Sequence, residues 1–318
     1  MDVLSAVLRE LRFESAGYRL LRLDAPFGVV FDKPGVRGMH VLVRGQCELV
    51  FDDGTIQELT AGDLVVFPRG DFHTLRSPGV DASHAVPGFD FAAHTPGPKL
   101  GTDDSGIDTV VVCGGFVTAE PDHPALLGMP RAVHVSGDLD RPRPWLAPLI
   151  DALALEATDG GPGSELAMAR LFEVLLIRAL RDHNTRIDQP GWLAGLRDPF
   201  VASALAALHE DPARPWTLAG LARTVGLSRA SFALRFTSHV GEPAMRYLLG
   251  LRIQRAKALL RETHDTVATI ATQVGYQSDV AFAAAFKREV GAAPAAYRRM
   301  AIKLRTSAEE AGMVATEQ

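Results

Sequence analysis

The spacing of apolar residues divides the chain into a strand-rich first part and a helical second part. Between Tyr18 and Leu75, short apolar runs such as HVLVRG, CELVF and DLVVF alternate with the turn formers FDDG, TAGD and PRGD. Several short strands joined by close turns are typical of a β-sandwich or barrel. After a stretch rich in Gly, Pro, Asp and His over residues 77–108, TVVVCGGFV predicts a further strand that closes the same barrel.

An apolar period of three to four residues replaces this pattern from Trp145 onward. The segments WLAPLIDALALEA and SELAMARLFEVLLIRALRDH predict two helices, separated by the helix-breaking DGGPG. The second helix carries more apolar residues than one buried face needs, so it can pack on the barrel or on a second subunit. The polar segment HNTRIDQPG then predicts a linker, and the chain beyond it is almost entirely helical.

Size and composition bound the class of protein. The 318 residues suit two domains, each large enough to bury its own core. No apolar run reaches the length of a membrane span, and the start, MDVLSAVLRELRF, lacks the pattern of a secretory signal. The only cysteines are Cys47 and Cys113, which favours two reduced thiols over a disulfide scaffold. We therefore predict a cytoplasmic protein.

Charge is distributed unevenly along the chain. The net charge of -5 divides into -10 for residues 1–196 (17 Lys and Arg against 27 Asp and Glu), +8 for residues 197–306 (16 against 8) and -3 for the last twelve residues. A basic half joined to an acidic half is typical of a module that binds a polyanion, attached to one that does not. A solvated basic face would give the same charge, so the motifs must decide between the two.

Two copies of a helix-turn-helix pattern lie in the basic half. In TLAGLARTVGLSRASFALRFTSHVG, a first helix is followed by a tight turn at Gly226 and by a second helix that Ser228 is placed to cap. About fifty residues later, TVATIATQVGYQSDVAFAAAFKREVG repeats the pattern with Gly275 and Ser278. The segment PAMRYLLGLRIQRAKALLRE predicts a long helix between the copies. Two such units on one connector can enter successive major grooves of DNA, roughly 34 Å apart.

These segments resemble the DNA-binding domain of the AraC/XylS family of bacterial regulators. The resemblance rests on WTLAGLARTVGLS, the pair Arg235 and Phe236, GEPAMRYLLGLRIQRAKALL, VGYQSDVAFAAAFKREVG and the closing APAAYRR, and it covers about a hundred residues. It implies a protein that binds promoter DNA, often recruits RNA polymerase, and frequently responds to a small molecule through its other domain.

The resemblance also implies a set of DNA-contacting residues. On the first recognition helix the candidates are Ser228, Arg229, Ala230, Ser231, Ala233, Leu234 and Arg235, and on the second they are Gln277, Ser278, Asp279, Val280 and Ala283. Phosphate contacts are expected from Arg235, Arg252, Arg255, Lys287 and Arg288, although each cation could instead be a solvated surface charge. Leu234 and Ala284 stand where relatives often place a base-reading Arg, so base specificity is expected to be modest.

The strand-rich half carries a second motif, in GDLVVFPRGDFH. The positions of Gly62, Pro68, Gly70 and His73 resemble the second cupin motif, Gly-x5-Pro-x-Gly-x2-His, in which the histidine faces the barrel interior. His40 begins an incomplete first motif, because Leu42 takes the place of its second His, and Gln46 or Cys47 the place of its Glu. A mononuclear metal needs three or four ligands, so we expect no metal and no other cofactor, with His40 and His73 as the only candidate ligands.

Both cysteines lie on predicted strands near these histidines. Cys47 and Cys113 could approach bridging distance, and neighbouring imidazoles could lower the pKa of a thiol. His40, Cys47, His73 and Cys113 are therefore candidates for an oxidant sensor or a soft-metal site. The alternative is two unrelated buried thiols that act as small hydrophobic residues.

Together these features predict a sequence-specific DNA-binding transcription regulator that is not an enzyme. We expect an N-terminal all-β cupin-like barrel that senses a small molecule or an oxidant, and a C-terminal all-α domain that binds double-stranded promoter DNA. RNA polymerase and a second copy of the chain are further candidate partners, and a membrane is not. The alternative is a cupin enzyme, such as a dioxygenase or isomerase, with an accessory DNA-binding domain. The missing ligands of the first motif argue against it.

The expected domain boundaries follow the changes in pattern. They are a cupin-like sensor barrel over residues 1–135, a helical sensor or dimerisation segment over 136–183, a linker over 184–196, an AraC-type domain with two helix-turn-helix units over 197–306, and a disordered tail over 307–318.

Overall fold

A computed structural model describes residues 2–33, 35–80, 86–87, 108–118, 123–138, 143–186 and 189–303. The chain forms two compact units, Val7–Asp188 and Gln189–Gln318, the second of which also includes Met1–Ala6. The boundary at 188/189 falls inside the segment that the sequence predicts as a linker. The predicted tail, residues 307–318, lies outside the described residues.

The first unit is built mainly of strands, as predicted. In the described part of the chain its strands are β1 (Glu14–Leu23), β2 (Gly28–Phe31), β3 (Arg37–Arg44), β4 (Gln46–Phe51), β5 (Ile56–Thr60), β6 (Leu64–Phe67), β7 (His73–Arg76), β8 (Val86–Pro87), β9 (Thr109–Val117) and β10 (Val133–Val135). They form two five-stranded sheets, in the orders β1-β9-β3-β6-β10 and β5-β4-β7-β2-β8. The strand predicted to close the barrel, β9, pairs with β1 on one side and with β3 on the other.

The barrel core lies between the two sheets. The strand β4 shows how the sequence builds it, because Cys47, Leu49 and Phe51 alternate with more exposed residues and are buried. They join a cluster with side chains of the opposite sheet, including Phe67 and Cys113. Burial of alternate residues on facing sheets is the usual way in which a β-sandwich or barrel closes its core.

Helices lie before, between and after these strands in the sequence. They are α1 (Val3–Leu11), α2 (Pro124–Leu127), α3 (Leu146–Asp159) and α4 (Ser164–Asn184). The last two are the helices that the apolar period predicts. Phe172 of α4 packs directly over β9, where a Cβ at Gly114 would lie 2.5 Å from its ring, so only glycine leaves room for this contact. In the described residues, no helix combines the length and the apolarity that crossing a membrane requires.

The second unit is helical. Its helices are α5 (Trp192–Gly195), α6 (Pro199–Glu210), α7 (Leu218–Thr224), α8 (Arg229–Val240), α9 (Ala244–Glu262), α10 (Val267–Gln273) and α11 (Asp279–Val290), and residues 294–303 are also helical. The pairs α7–α8 and α10–α11 are the two predicted helix-turn-helix units. Helix α5 lies in the segment predicted as a linker, yet all four of its residues are buried.

Candidate functional site

The two recognition helices, α8 and α11, begin in the same way. Ser228 accepts a hydrogen bond from the backbone N–H of Ser231 at 3.1 Å, and Ser278 accepts one from that of Ala281 at 3.4 Å. The preceding turns contain Gly226 at φ 72° and Gly275 at φ 86°. Side-chain caps and left-handed glycines are the local signals that set the start of each helix. Ser228 and Ser278, both candidate DNA contacts, therefore use their side chains to cap these helices.

Aromatic side chains orient each recognition helix. Phe232 and Phe236 of α8, and Phe282 and Phe286 of α11, are fully buried. In the second helix-turn-helix, the rings of Phe282 and Phe286 belong to a core that also includes Ile270 of α10. Because these residues face inward, the opposite faces of α8 and α11 are left exposed.

Leu234 and Val280 project from these exposed faces. Leu234 is 76% exposed on α8 and Val280 is 74% exposed on α11. The other predicted contacts Arg229, Ala230, Ser231, Gln277 and Asp279 are also exposed, whereas Ala233 and Ala283 are half-buried. The structure thus places the predicted base-contacting residues on or at the edge of the two exposed faces.

Contacts through α9 fix the two helix-turn-helix units to each other. The guanidinium group of Arg252 donates to the carbonyl oxygens of Pro212 at 2.8 Å and Arg214 at 2.9 Å, and it lies over the ring of Tyr276. Gly275 lies so close to the backbone of Ala213 that a Cβ would collide with it. Arg252, predicted as a phosphate contact, is therefore engaged within the protein.

Arg235, another predicted phosphate contact, is also engaged within the protein. Its Nε lies 2.6 Å from a carboxylate oxygen of Asp198. Asp198 caps α6 by accepting from the backbone N–H groups of Phe200 and Val201, both at 3.0 Å. Burial acts to raise the pKa of Asp198, but the hydrogen bonds from Val201 and Arg235 outweigh it, so this pKa is lowered. The ion pair ties α8 to the start of α6.

The remaining predicted cations differ in their surroundings. Arg288 donates to Glu289 at 3.1 Å, and Glu289 also pairs with Arg246 at 2.7 Å. Lys287 and Arg255 are exposed and, like Arg229, form no ion pair within the described residues. These three side chains remain available to a polyanion, and so does Arg288, whose side chain is 67% exposed although its Nε bonds to Glu289.

In the barrel, His40 joins the two sheets through a buried chain of hydrogen bonds. Its Nδ1 lies 3.0 Å from the Cys113 sulfur, and its Nε2 lies 2.7 Å from Nε2 of His73. The strand register explains the first contact, since His40 on β3 pairs directly with Cys113 on β9. His73, on the opposite sheet, bonds through Nδ1 to the carbonyl oxygen of Asp71 at 2.8 Å.

The carbonyl oxygen of Asp71, at the end of this series of hydrogen bonds, determines which group donates and which accepts in each of them. A carbonyl oxygen only accepts, so Nδ1 of His73 donates to Asp71. In a neutral His73, Nε2 must then accept from Nε2–H of His40, and Nδ1 of His40 accepts from the thiol of Cys113. The ring of His73 is also stacked on Phe67, with centroids 3.7 Å apart, and on Phe31.

All four titratable groups of this interior are neutral. Burial lowers the pKa of His73 to about 4, and burial together with the neighbouring His73 lowers that of His40 well below its ordinary value. Burial raises the pKa of Cys47 to about 12, with further contributions from Asp63 and Glu48. Burial and the neighbouring Cys47 also raise that of Cys113. The expectation that neighbouring imidazoles lower a thiol pKa is not met here, because burial disfavours the thiolate at both cysteines and raises both pKa values.

The donor geometry does not suit a mononuclear metal. The ring nitrogens that would bind a metal face each other or a thiol. Leu42, at the position of the missing histidine, is buried, and Gln46, at one of the two candidate positions for the glutamate, is exposed. Across the described ranges, no three His, Cys, Asp or Glu side chains are grouped so that they could hold a metal ion. Cys47 and Cys113 are free, buried thiols in one core cluster.

Comparison with known proteins agrees with both halves. Residues 2–185, more than half of the chain, match the Cupin family model, and residues 221–300 match that of a helix-turn-helix domain. The DNA-binding domain of AdpA, solved in complex with a target DNA, is 31% identical, covers 34% of this chain and 97% of its own, and has a TM-score of 0.33.

Several curated relatives match almost the whole chain. A Streptomyces lividans protein named an AraC-like transcription regulator is 37% identical over 94% of this chain and 98% of its own length. The HTH-type transcriptional regulator AlkR of Acinetobacter baylyi is 29% identical over 94% of this chain and 99% of its own. Both are named as regulators, which favours a regulator over an enzyme. With the cupin barrel and both helix-turn-helix units in place, the chain belongs to the AraC family of transcription regulators, and its helical domain binds DNA.

Proposed function

We propose that this regulator reads promoter DNA with the exposed faces of α8 and α11, and that its barrel changes this binding in response to an effector. The observation that carries the proposal is the presence of two exposed recognition faces on units held together by Arg252 and Gly275. A fixed pair of recognition helices suits two successive major grooves of one operator.

The surroundings of each side chain support separate roles at the DNA. We assign base contacts to the exposed residues Arg229, Ala230, Ser231 and Leu234 of α8, to Gln277 just before α11, and to Asp279 and Val280 of α11, with Ala233 and Ala283 at the edge. Lys287, Arg255 and Arg288 are assigned to phosphates. Arg235 and Arg252 are assigned to positioning, because their guanidinium groups are already bonded to Asp198 and to backbone carbonyls.

The test begins with selection of an operator. Purified full-length protein would select binding sites from a randomised double-stranded DNA library, and fluorescence anisotropy would compare the selected site with a scrambled one. The expected preference for the selected site is at least about a thousand-fold, the lower end for specific DNA-binding proteins. Equal affinities for both DNAs would overturn the proposed reading of sequence.

The barrel is proposed as the sensing part. His40, His73 and Cys113 form one buried chain of hydrogen bonds, so a ligand or a modification that separates His40 from His73 changes the contact between the two sheets, and one that separates His40 from Cys113 changes the pairing of β3 and β9. Cys47 lies in the same core. Because neutral, buried thiols react slowly, we place a small molecule first among effectors and an oxidant second.

An oxidant titration separates the two effectors. Operator binding would be measured with and without mild oxidant for the parent protein, Cys47→Ser and Cys113→Ser. With a small-molecule effector, operator affinity is expected to be indifferent to oxidant in all three proteins. An oxidant response that either serine variant abolishes would overturn this order and establish a thiol sensor.

Helix α5 is the proposed route from the barrel to the DNA. It lies within the predicted linker, and a Cβ at Gly195 would lie 3.1 Å from Val240 at the end of α8. The backbone N–H of Gly191 also donates to the carbonyl oxygen of His239 at 2.8 Å. Replacement of residues 184–190 by a Gly-Ser segment is expected to keep operator binding and to remove the effector response. An unchanged response would contradict this route.

We also propose that the chain works in the cytoplasm as a homodimer that contacts RNA polymerase. The exposed apolar side chains Leu155 of α3 and Leu166 and Val174 of α4 support a second copy as partner. Sedimentation of the parent protein and of Leu166→Glu tests this, with a monomeric variant expected and an unchanged state contradicting it. Transcription from an operator-bearing promoter with purified polymerase tests the second contact.

A further inference from the structure

Each recognition helix exposes one large apolar side chain, Leu234 on α8 and Val280 on α11. In the described part of the chain, Leu234 and Val280 are the two most exposed large hydrophobic residues, at 76% and 74%, ahead of Leu155 and Leu166 at 62%. Exposed apolar groups on a folded domain are often covered by a binding partner. Here they stand on the two faces assigned to DNA.

The neighbours of these side chains are short. Ala230 and Ser231 lie one turn before Leu234 on the same face of α8, and Ala283 and Ala284 lie one turn after Val280 on α11. The carboxylate of Asp279, next to Val280, accepts the Val280 backbone N–H at 2.8 Å. Leu234, within α8, and Val280, in the first turn of α11, are therefore the large apolar side chains that these faces offer to a partner.

The charge around these faces favours a polyanion as that partner. Exposed Arg229 begins α8, and exposed Lys287 and Arg288 end α11. The segment from 197 to 306 carries a net charge of +8. These surfaces suit a partner that is anionic overall and apolar at two points. The major groove of DNA has both properties, since the C5-methyl group of thymine is the apolar feature of its base edges.

We propose that Leu234 and Val280 each pack on a pyrimidine C5-methyl group, so that the operator carries thymine at one position under α8 and at another under α11. This inference rests on the proposed function and names the feature of DNA that these faces select. Specificity at both positions comes from methyl contact in place of hydrogen bonds from long side chains.

Replacement of thymine by deoxyuridine tests this directly, because it removes the methyl group and keeps every base-pairing atom. Each thymine of the selected operator would be replaced in turn, and affinity measured by anisotropy with the full-length protein. Two sensitive positions are expected, about one helical turn apart. Binding at each is expected to weaken by about four-fold, the value of one buried methyl group.

Alanine variants then assign each position to a side chain. Leu234→Ala is expected to remove the difference between thymine and deoxyuridine at one position and leave the other unchanged, and Val280→Ala is expected to do the reverse. Leu127→Ala, in the barrel unit at the end of α2 and 58% exposed, serves as the matched control and should leave both differences intact. Circular dichroism checks that each variant is folded.

Several results would overturn the inference. One is an operator that the protein still prefers over scrambled DNA, but in which no deoxyuridine substitution weakens binding; the proposed function then stands and the methyl contact fails. Another is a thymine preference that Leu234→Ala and Val280→Ala leave unchanged. A third is loss of self-association in these variants without DNA, which would make the two faces a protein interface. Absence of any sequence preference would remove the proposed function as well.

Discussion

In the barrel, the polar side chains of His40 and His73 are buried and bonded to each other, whereas in the helical domain the apolar side chains of Leu234 and Val280 face solvent. Each region thus reverses the usual preference of its residue types. The difference separates two kinds of importance. The buried histidines form hydrogen bonds within the protein, so substitutions there should lower the free energy of unfolding. The exposed aliphatic residues are not covered by any of the residues that the structure describes, so changes there should weaken binding to DNA.

The largest effect is expected from His40→Ala. The substitution opens a cavity and leaves His73 and the Cys113 thiol without their buried partner, which should lower the free energy of unfolding of the barrel by about 3 kcal/mol. Urea titration with hydrogen exchange of β3 and β9 peptides measures it. Leu234→Ala is the counterpart and should change stability by less than about 0.5 kcal/mol. A loss below about 1 kcal/mol for His40→Ala would contradict the claim that the buried histidines stabilise the barrel.

Acid should weaken the barrel through the same residues. The pKa of His73 is about 4 in the folded chain and 6.5 ordinarily. Between these two pH values the unfolded chain binds a proton on His73, whereas the folded chain leaves it unprotonated. The free energy of unfolding is therefore expected to fall from pH 6.5 to pH 4, by about 3 kcal/mol from His73. His40, whose pKa is also depressed, adds to the loss from pH 6.5 downward.

The control for this prediction is His73→Gln, which keeps a hydrogen-bonding side chain but does not titrate. Its barrel should lose less stability over the same pH range, as read by exchange of β3 and β7 peptides. Reading by peptide is needed because His209 of the helical domain, whose pKa burial also lowers to about 4, contributes in the same window. An identical pH dependence in His73→Gln would contradict the assignment.

A smaller effect is expected at Asp198 of the helical domain, whose buried carboxylate accepts hydrogen bonds from Phe200, Val201 and Arg235. Asp198→Ala removes the cap of α6 and the partner of Arg235, and should destabilise this domain by about 2 kcal/mol. Asp198→Asn keeps an acceptor for the cap and should recover part of the loss. Thermal unfolding followed by circular dichroism distinguishes the two variants. Equal stability of all three proteins would show that the ion pair and cap contribute nothing.

The smallest effect concerns the exposed cations. Lys287→Gln should leave stability unchanged and reduce by about one the slope of log affinity against log salt concentration, because one phosphate contact is lost. Arg170→Gln, an exposed cation of α4 in the barrel unit, is the matched control and should leave the slope unchanged. A slope that Lys287→Gln does not alter would remove this residue from the phosphate contacts.

Local pattern was sufficient to predict the fold class. Apolar alternation indicated the strands, the three-to-four period indicated α3 and α4, and the spacing of Gly226 and Ser228 located the first turn and cap. Helix α5 was missed because it is short and lies between polar residues. The apolar run at Trp192, Leu193 and Ala194 was the signal that could have found it.

Roles that depend on distant partners could not be predicted in the same way. The sequence shows that Arg235 and Arg252 are cations, but their partners, Asp198 and the carbonyls after α6, are brought to them only by the packing of the helices. Likewise, the motif places His73 inside the barrel, yet its bond to His40 depends on the meeting of two sheets. The thiol pKa values follow from burial, which the spacing of residues does not reveal.

The central claim is that α8 and α11 read one operator as a fixed pair. Its most direct test is the affinity of the full-length protein for the selected operator after insertion of about five base pairs, half a helical turn, between the two sensitive positions. The expected result is a fall to the affinity for scrambled DNA, because a rigid pair cannot follow the second half-site to the opposite face of the duplex. An unchanged affinity would contradict the account.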